Sequence, residues 1–146
     1  TFEGQIFWLL LVLNIITFKN NQITIMKNYF IQSNPFVVPT TDGKIIEEHH
    51  GLATTNNREL SIAHMIAPPG WSEPFQKPDF DEYTYIIKGR KQFIVDGDVL
   101  ILESGQSIKI TKGAQVQYSN PFDEACEYMS ICTPAFSIHN VNRDLD

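Results

Sequence analysis

From residue 36 onward the chain alternates apolar and polar positions in short runs broken by turn residues. A period of two marks strands, because successive side chains along an extended chain point to opposite sides. The clearest run is Glu82-Tyr-Thr-Tyr-Ile-Ile-Lys-Gly89, which puts Glu82, Thr84 and Ile86 on one face and Tyr83, Tyr85 and Ile87 on the other. If the first face is inward, Glu82 is a buried carboxylate that needs a partner. If the second is inward, Glu82 sits at a wet strand end. Alternation alone leaves both readings open.

Further strands are predicted over residues 36–38, 44–47, 60–67, 92–95, 99–102, 107–110, 116–118 and 128–132. The stretches between them carry turn or loop chemistry: Thr41-Asp42-Gly43, Thr54-Thr-Asn-Asn57, Pro68-Pro69-Gly70, Asp96-Gly97, Glu103-Ser-Gly105 and Lys112-Gly113. A proline-studded stretch then runs to Pro78, and only the N-terminal apolar run and the last dozen residues suit a helix. Many short strands at regular spacing predict an all-β sandwich or barrel.

Residues 1–25 stand apart. Ile6-Phe-Trp-Leu-Leu-Leu-Val-Leu13 is solidly apolar, Asn14 interrupts it, and Ile15-Ile16-Thr17-Phe18 resumes. The run falls short of the ~18 apolar residues a spanning helix needs. Glu3 is the only charge before it, so it lacks the basic start of a signal peptide. A shortened leader, an element packed on the barrel, and upstream sequence outside the natural product all fit. Met26-Lys-Asn-Tyr-Phe reads like a natural start, so the third is the expectation, with residues 26–146 as one domain.

A length of 146 residues suits a single domain with its own core. The net charge of -6 and pI near 5.1 argue against nucleic acid or an anionic membrane as partner. If the strand predicted over 128–132 extends back through Cys126, about 20 Å would separate Cys126 from Cys132. That is too far for a disulfide. With no Asn-x-Ser/Thr sequon, the expected setting is reducing and cytoplasmic.

The glycine spacing resembles the cupin superfamily. Its first motif runs glycine, His-x-His, Glu, glycine; here Gly70, Gln76-Lys-Pro78, Glu82 and Gly89 stand in that order. Its second runs from a glycine through Pro-x-Gly and His to Asn; here it reads Gly105, Thr111-Lys-Gly113, Val116 and Asn120. The resemblance covers about residues 60–133 and implies a double-stranded β-helix, or jelly-roll, barrel. It also implies a metal held by three His and one Glu, but this chain has Gln76, Pro78, Glu82 and Val116 at those positions. Proline and valine offer no donor atom, so the usual site cannot form. Pro68-Pro-Gly-Trp-Ser-Glu-Pro74, Phe80-Asp-Glu-Tyr-Thr84, Tyr118-Ser-Asn-Pro121 and Cys132-Thr-Pro-Ala-Phe136 look like small uncharacterised cupins and ethanolamine-utilisation cupins. No activity follows from that likeness. A homodimer is expected from the resemblance and from the apolar Tyr83, Tyr85, Ile87 face.

A barrel mouth lined by the two motif strands would draw polar groups from Glu73, Gln76, Asp81, Glu82, Tyr118 and Tyr128. One reading is an oxygen-rich divalent metal site, with Glu82 and Glu73 as carboxylate ligands and Gln76 as a carbonyl ligand. The missing ligand at Val116 counts against it. A second is a metal-free pocket binding a small polar metabolite. There a buried Glu82 lacking a cation would have a raised pKa and act as general acid or base. Tyr118 or Tyr128 would hydrogen-bond a substrate oxygen, in an isomerisation, epimerisation or cyclisation. A third is a ligand sensor without chemistry. His64, sharing a face with Ile62 and Ile66, is a core or rim histidine that could still reach the pocket. Trp71 would cap the mouth or anchor the packing.

Overall fold

The computed structural model describes residues 27–144, and the apolar stretch 1–25 lies outside them. The chain divides into two compact units, Thr1–Ile31 and Gln32–Asp146, and the account below concerns the second. Its elements run β1 (Phe36–Val37), β2 (Ile45–His50), α1 (Leu52–Thr55), β3 (Ser61–Ala67), β4 (Trp71–Ser72) and β5 (Asp81–Lys88). They continue with β6 (Arg90–Val95), β7 (Asp98–Glu103), β8 (Ser107–Ile110), β9 (Val116–Asn120) and β10 (Cys126–Thr133). Two antiparallel sheets result, ordered β1-β2-β3-β10-β5-β8 and β4-β9-β6-β7. This is the predicted jelly-roll barrel.

The strands follow the alternation, and three local differences have simple causes. α1 occupies part of the stretch read as a polar loop; the Glu48 carboxylate accepts the Thr54 N–H at 2.9 Å, giving that single turn a partner outside itself. β4 is a two-residue strand inside the proline-studded stretch, created by pairing of Trp71 with Asn120 and Ser72 with Ser119. The last residues form turns rather than a helix, and Arg143 makes an isolated bridge to Gln76.

Burial settles which face of β5 is inward. Thr84 and Ile86 are buried, with Glu82 beside them, whereas Tyr83, Tyr85 and Ile87 are 41%, 49% and 39% exposed. The core is a cluster of Ala67, Trp71, Ile86, Phe93, Leu102, Ile110, Val116, Tyr118, Cys126 and Tyr128, with Phe80, Cys132 and Val141 forming a smaller one. Cys126 and Cys132 both lie on β10 as free, buried thiols.

Two motif residues hold the frame. Gly89 has φ +78° and its Cα passes so close to β10 that a Cβ would stand 2.5 Å from the Ala125 carbonyl oxygen, so no other residue fits there. Asn120 is fully buried, and its amide group donates to the carbonyls of Ala67, Pro68 and Glu124 at 3.1, 3.1 and 2.8 Å. It ties β9 to the end of β3 and to the loop before β10. The predicted Asp96-Gly97 turn joins β6 to β7, both residues at positive φ (49° and 92°), as a two-residue type I′ hairpin requires.

Candidate active site

The inward faces of these strands enclose a cavity of about 420 Å³. Alternation delivers its walls: Ser61, Ala63 and Met65 from β3, Glu82 from β5, Tyr128, Ser130 and Cys132 from β10, Tyr118 from β9. Glu73 and Gln76 enter from the loop after β4. Five predicted residues therefore meet in one space: Glu73, Gln76, Glu82, Tyr118 and Tyr128.

Three others do not line it. Asp81 is an odd position of β5 and faces outward, where its carboxylate accepts the Lys112 N–H at 2.9 Å and pairs with Lys109 at 3.3 Å. His64 lies on the outer face of β3, between Glu127 at 2.8 Å and Glu47 at 3.0 Å. The Glu127 hydrogen bond, helped by Glu47 and opposed by burial, raises the pKa of His64. It cannot reach the cavity from there. Trp71 is a buried packing anchor whose indole N–H donates to Asp42 at 2.7 Å.

The sequence reading missed the cations. Lys44 and Lys91 both line the cavity although they are only 8% and 2% exposed. Lys91 begins the inward row Lys91-Phe93-Val95 on β6, and its apolar row-mates were a readable signal that it turns inward. Lys44 precedes β2 in the row Lys44-Ile46-Glu48, whose neighbours Ile45 and Glu47 carry the same mixture and hide the inward face.

Their surroundings differ. Lys44 Nζ lies 4.0 Å from Glu73, which also meets Arg143 at 3.6 Å, and 4.2 Å over the Trp71 ring. The Lys91 ammonium makes no ion pair and no hydrogen bond among the described residues. It is ringed instead by aromatic faces, its Nζ 3.4 Å from the Tyr128 centroid, 4.9 Å from Tyr118 and 5.1 Å from Phe93. Burial drives the Lys91 amine down to about 7, Lys44 pushes the same way, and Glu82 and Glu73 oppose it. Burial also lowers Lys44, with Glu73 and Glu82 opposing.

Glu82 therefore does not lack a cation, as the metal-free reading assumed; it acts on two ammonium groups. Its own oxygens accept from Thr84 at 3.2 Å and from the Cys132 thiol at 3.5 Å. Burial first, and the Glu82 charge second, hold that thiol protonated. The hydroxyls of Tyr118 and Tyr128 are buried with no hydrogen-bond partner among the described residues. Burial raises both phenols well above their ordinary range, so they remain donors; Gln76 approaches Tyr118 and offsets a little of that rise.

The family model described as Cupin domain (Cupin_2) matches residues 63–132, and the sheets above have the architecture of the solved cupins reported below. The chain is a cupin. Endoribonuclease YbeY of Myxococcus xanthus is 43% identical over 100 residues, which are 68% of this chain and 34% of that protein. This cupin thus spans about a third of the length of that curated relative. Among solved structures, the Clostridium difficile EutQ protein is 24% identical with a TM-score of 0.52, covering 65% of this chain and 66% of that one. Oxalate decarboxylase from Bacillus subtilis is 16% identical with a TM-score of 0.65, covering 78% and 31%. At such identities the likeness is one of fold.

The fit to the usual cupin metal fails on the residues themselves. Val116 is fully buried and pairs through its backbone with Gln76, and neither it nor Pro78 carries a donor atom. Among the described residues no three His, Cys, Asp or Glu side chains converge where a metal ion could sit. A divalent cation on Glu73, Gln76 and Glu82 would compete with fixed charges. Glu73 already meets Lys44 and Arg143, and Gln76 Oε1 accepts from Arg143 at 3.4 Å.

Proposed function

We propose that this cupin binds a small, acceptor-rich polar metabolite, such as a carboxylate, in its barrel without a histidine-bound metal. One observation carries the reading: Lys91 and the hydroxyls of Tyr118 and Tyr128 are donors in the cavity wall with no acceptor of their own. A buried donor left unpaired costs about 1–3 kcal/mol, which a ligand oxygen returns. The cavity is of a size for such a metabolite. Whether binding leads to conversion or to sensing turns on Glu82, the β5 carboxylate that lines the same cavity as both amines.

The test is thermal shift with acetate, lactate, pyruvate and glyoxylate against acetamide and glycerol, beside metal analysis of untagged protein and its Glu82→Ala variant. The carboxylates should stabilise the protein, by about 2.7 kcal/mol at a hundredfold excess over Kd. No shift with any carboxylate, or stoichiometric metal that Glu82→Ala loses, would overturn the reading; the second result would favour the oxygen-rich metal site.

A homodimer through the outer face of the six-stranded sheet is part of the same proposal, supported by exposed Tyr83, Tyr85 and Ile87 beside the partly buried Met129 and Ile131. Light scattering should give twice the chain mass, and Tyr85→Lys should shift it to monomer; a wild-type monomer removes the idea. The acidic charge supports no nucleic-acid partner, the YbeY likeness notwithstanding, and the two free thiols favour a cytoplasmic setting. Among the described residues no helix is long and apolar enough to cross a membrane.

A further inference from the structure

We propose that Lys91 is a nucleophilic amine that forms an imine with a small aldehyde or ketone bearing a neighbouring carboxylate. The proposal rests on the acceptor-binding reading of the cavity and goes further, by assigning a covalent step to one atom.

An amine attacks a carbonyl only when its lone pair is free, and an ordinary lysine holds a proton on it at neutral pH. Two structural features free this one. Its ammonium form has no carboxylate within ion-pairing distance among the described residues, and it is 2% exposed. A second ammonium, Lys44, lines the same cavity and repels its charge. Lysines activated in this way, by desolvation and a cationic neighbour, are those that form Schiff bases. The remaining cavity groups complete the chemistry. The unpartnered Tyr118 and Tyr128 hydroxyls can donate to the carbonyl oxygen, and Lys44 and Arg143 supply positive charge for a carboxylate. Glu82 can accept and return the proton in transit.

The step balances without any co-reactant. The Nζ lone pair attacks the carbonyl carbon and the C–N bond forms, giving a carbinolamine. The oxygen then leaves with both amine hydrogens as water, and the C=N bond remains.

The test is reductive trapping of the full chain with glyoxylate or pyruvate and sodium cyanoborohydride, which delivers hydride to the imine carbon and leaves a stable secondary amine. Peptide mass mapping should place the adduct on Lys91. Its yield should exceed that on exposed Lys77, Lys88, Lys109 or Lys112 by more than about a hundredfold at pH 7, because burial frees the lone pair of Lys91 that an ordinary solvated lysine keeps protonated. Lys91→Met should abolish the adduct, and excess acetate should slow its formation. Adducts on Lys44 or spread over the exposed lysines overturn the proposal. Carboxylate thermal shifts with no adduct on Lys91 overturn the imine and leave the binding reading standing. Neither shift nor adduct overturns both.

Discussion

Lys91→Met is expected to raise the stability of this cupin by about 3 kcal/mol at pH 6, an unusual sign for a core substitution. The magnitude follows from the amine's position. A lysine that loses its proton near 7 when folded and near 10.5 when unfolded costs the folded state about 5 kcal/mol below pH 7. The aromatic rings around it return about 1–2 kcal/mol of that through cation–π attraction. Methionine fills a similar shape without a charge.

The pH dependence gives the sharper signature. Between pH 7 and about 10.5 the unfolded chain keeps a proton at Lys91 that the folded protein has released, so folded stability rises with pH across that window. Below the window the full penalty applies, and above it none does. The charges that set this are Lys44, which depresses the amine further, and Glu82, Glu73 and Cys126, which oppose. Urea midpoints at pH 6, 8 and 10 should converge for wild type and Lys91→Met as pH rises. Parallel curves would show that Lys91 titrates as an ordinary lysine. Such a cost, tolerated in the cavity wall, is what a functional amine would require.

Glu73→Ala should act in opposite directions on stability and on ligand binding. Its carboxylate stands 4.0 Å from buried Lys44 and 3.6 Å from Arg143. Its removal leaves Lys44 without an ion-pair partner among the described residues, a loss of about 2 kcal/mol given the long distances and the half-exposed Arg143. The same change frees two cations to meet a carboxylate ligand. Chemical denaturation should show the destabilisation, and calorimetry should show tighter binding of acetate or pyruvate, by about tenfold. Weakened binding would mean that Glu73 touches the ligand itself and that the cations belong only to the scaffold.

What was legible in the chain was whatever depends on local geometry. Period-two runs gave the strands, Asp96-Gly97 gave its hairpin, and the spacing from Gly70 to Asn120 gave the barrel. The proline and valine at positions 78 and 116 excluded the three-histidine metal centre, because a missing donor atom is missing in any fold. Glu82, Tyr118 and Tyr128 were found because the strands carrying them were found, whereas Glu73 and Gln76 reach the cavity from the loop after β4.

Tertiary structure alone decided which face of each strand turned inward, since alternation is symmetric and only burial breaks it. It sent Asp81 and His64 outside and Glu82 inside. It also drew Lys44, before β2, and Lys91, on β6, to one cavity, although 47 positions separate them in the chain. Lysine is ordinarily a surface residue, so nothing local marks it for burial. The unusual chemistry of Lys91 arises from rings contributed by three different strands, a relation that exists only once both sheets have closed.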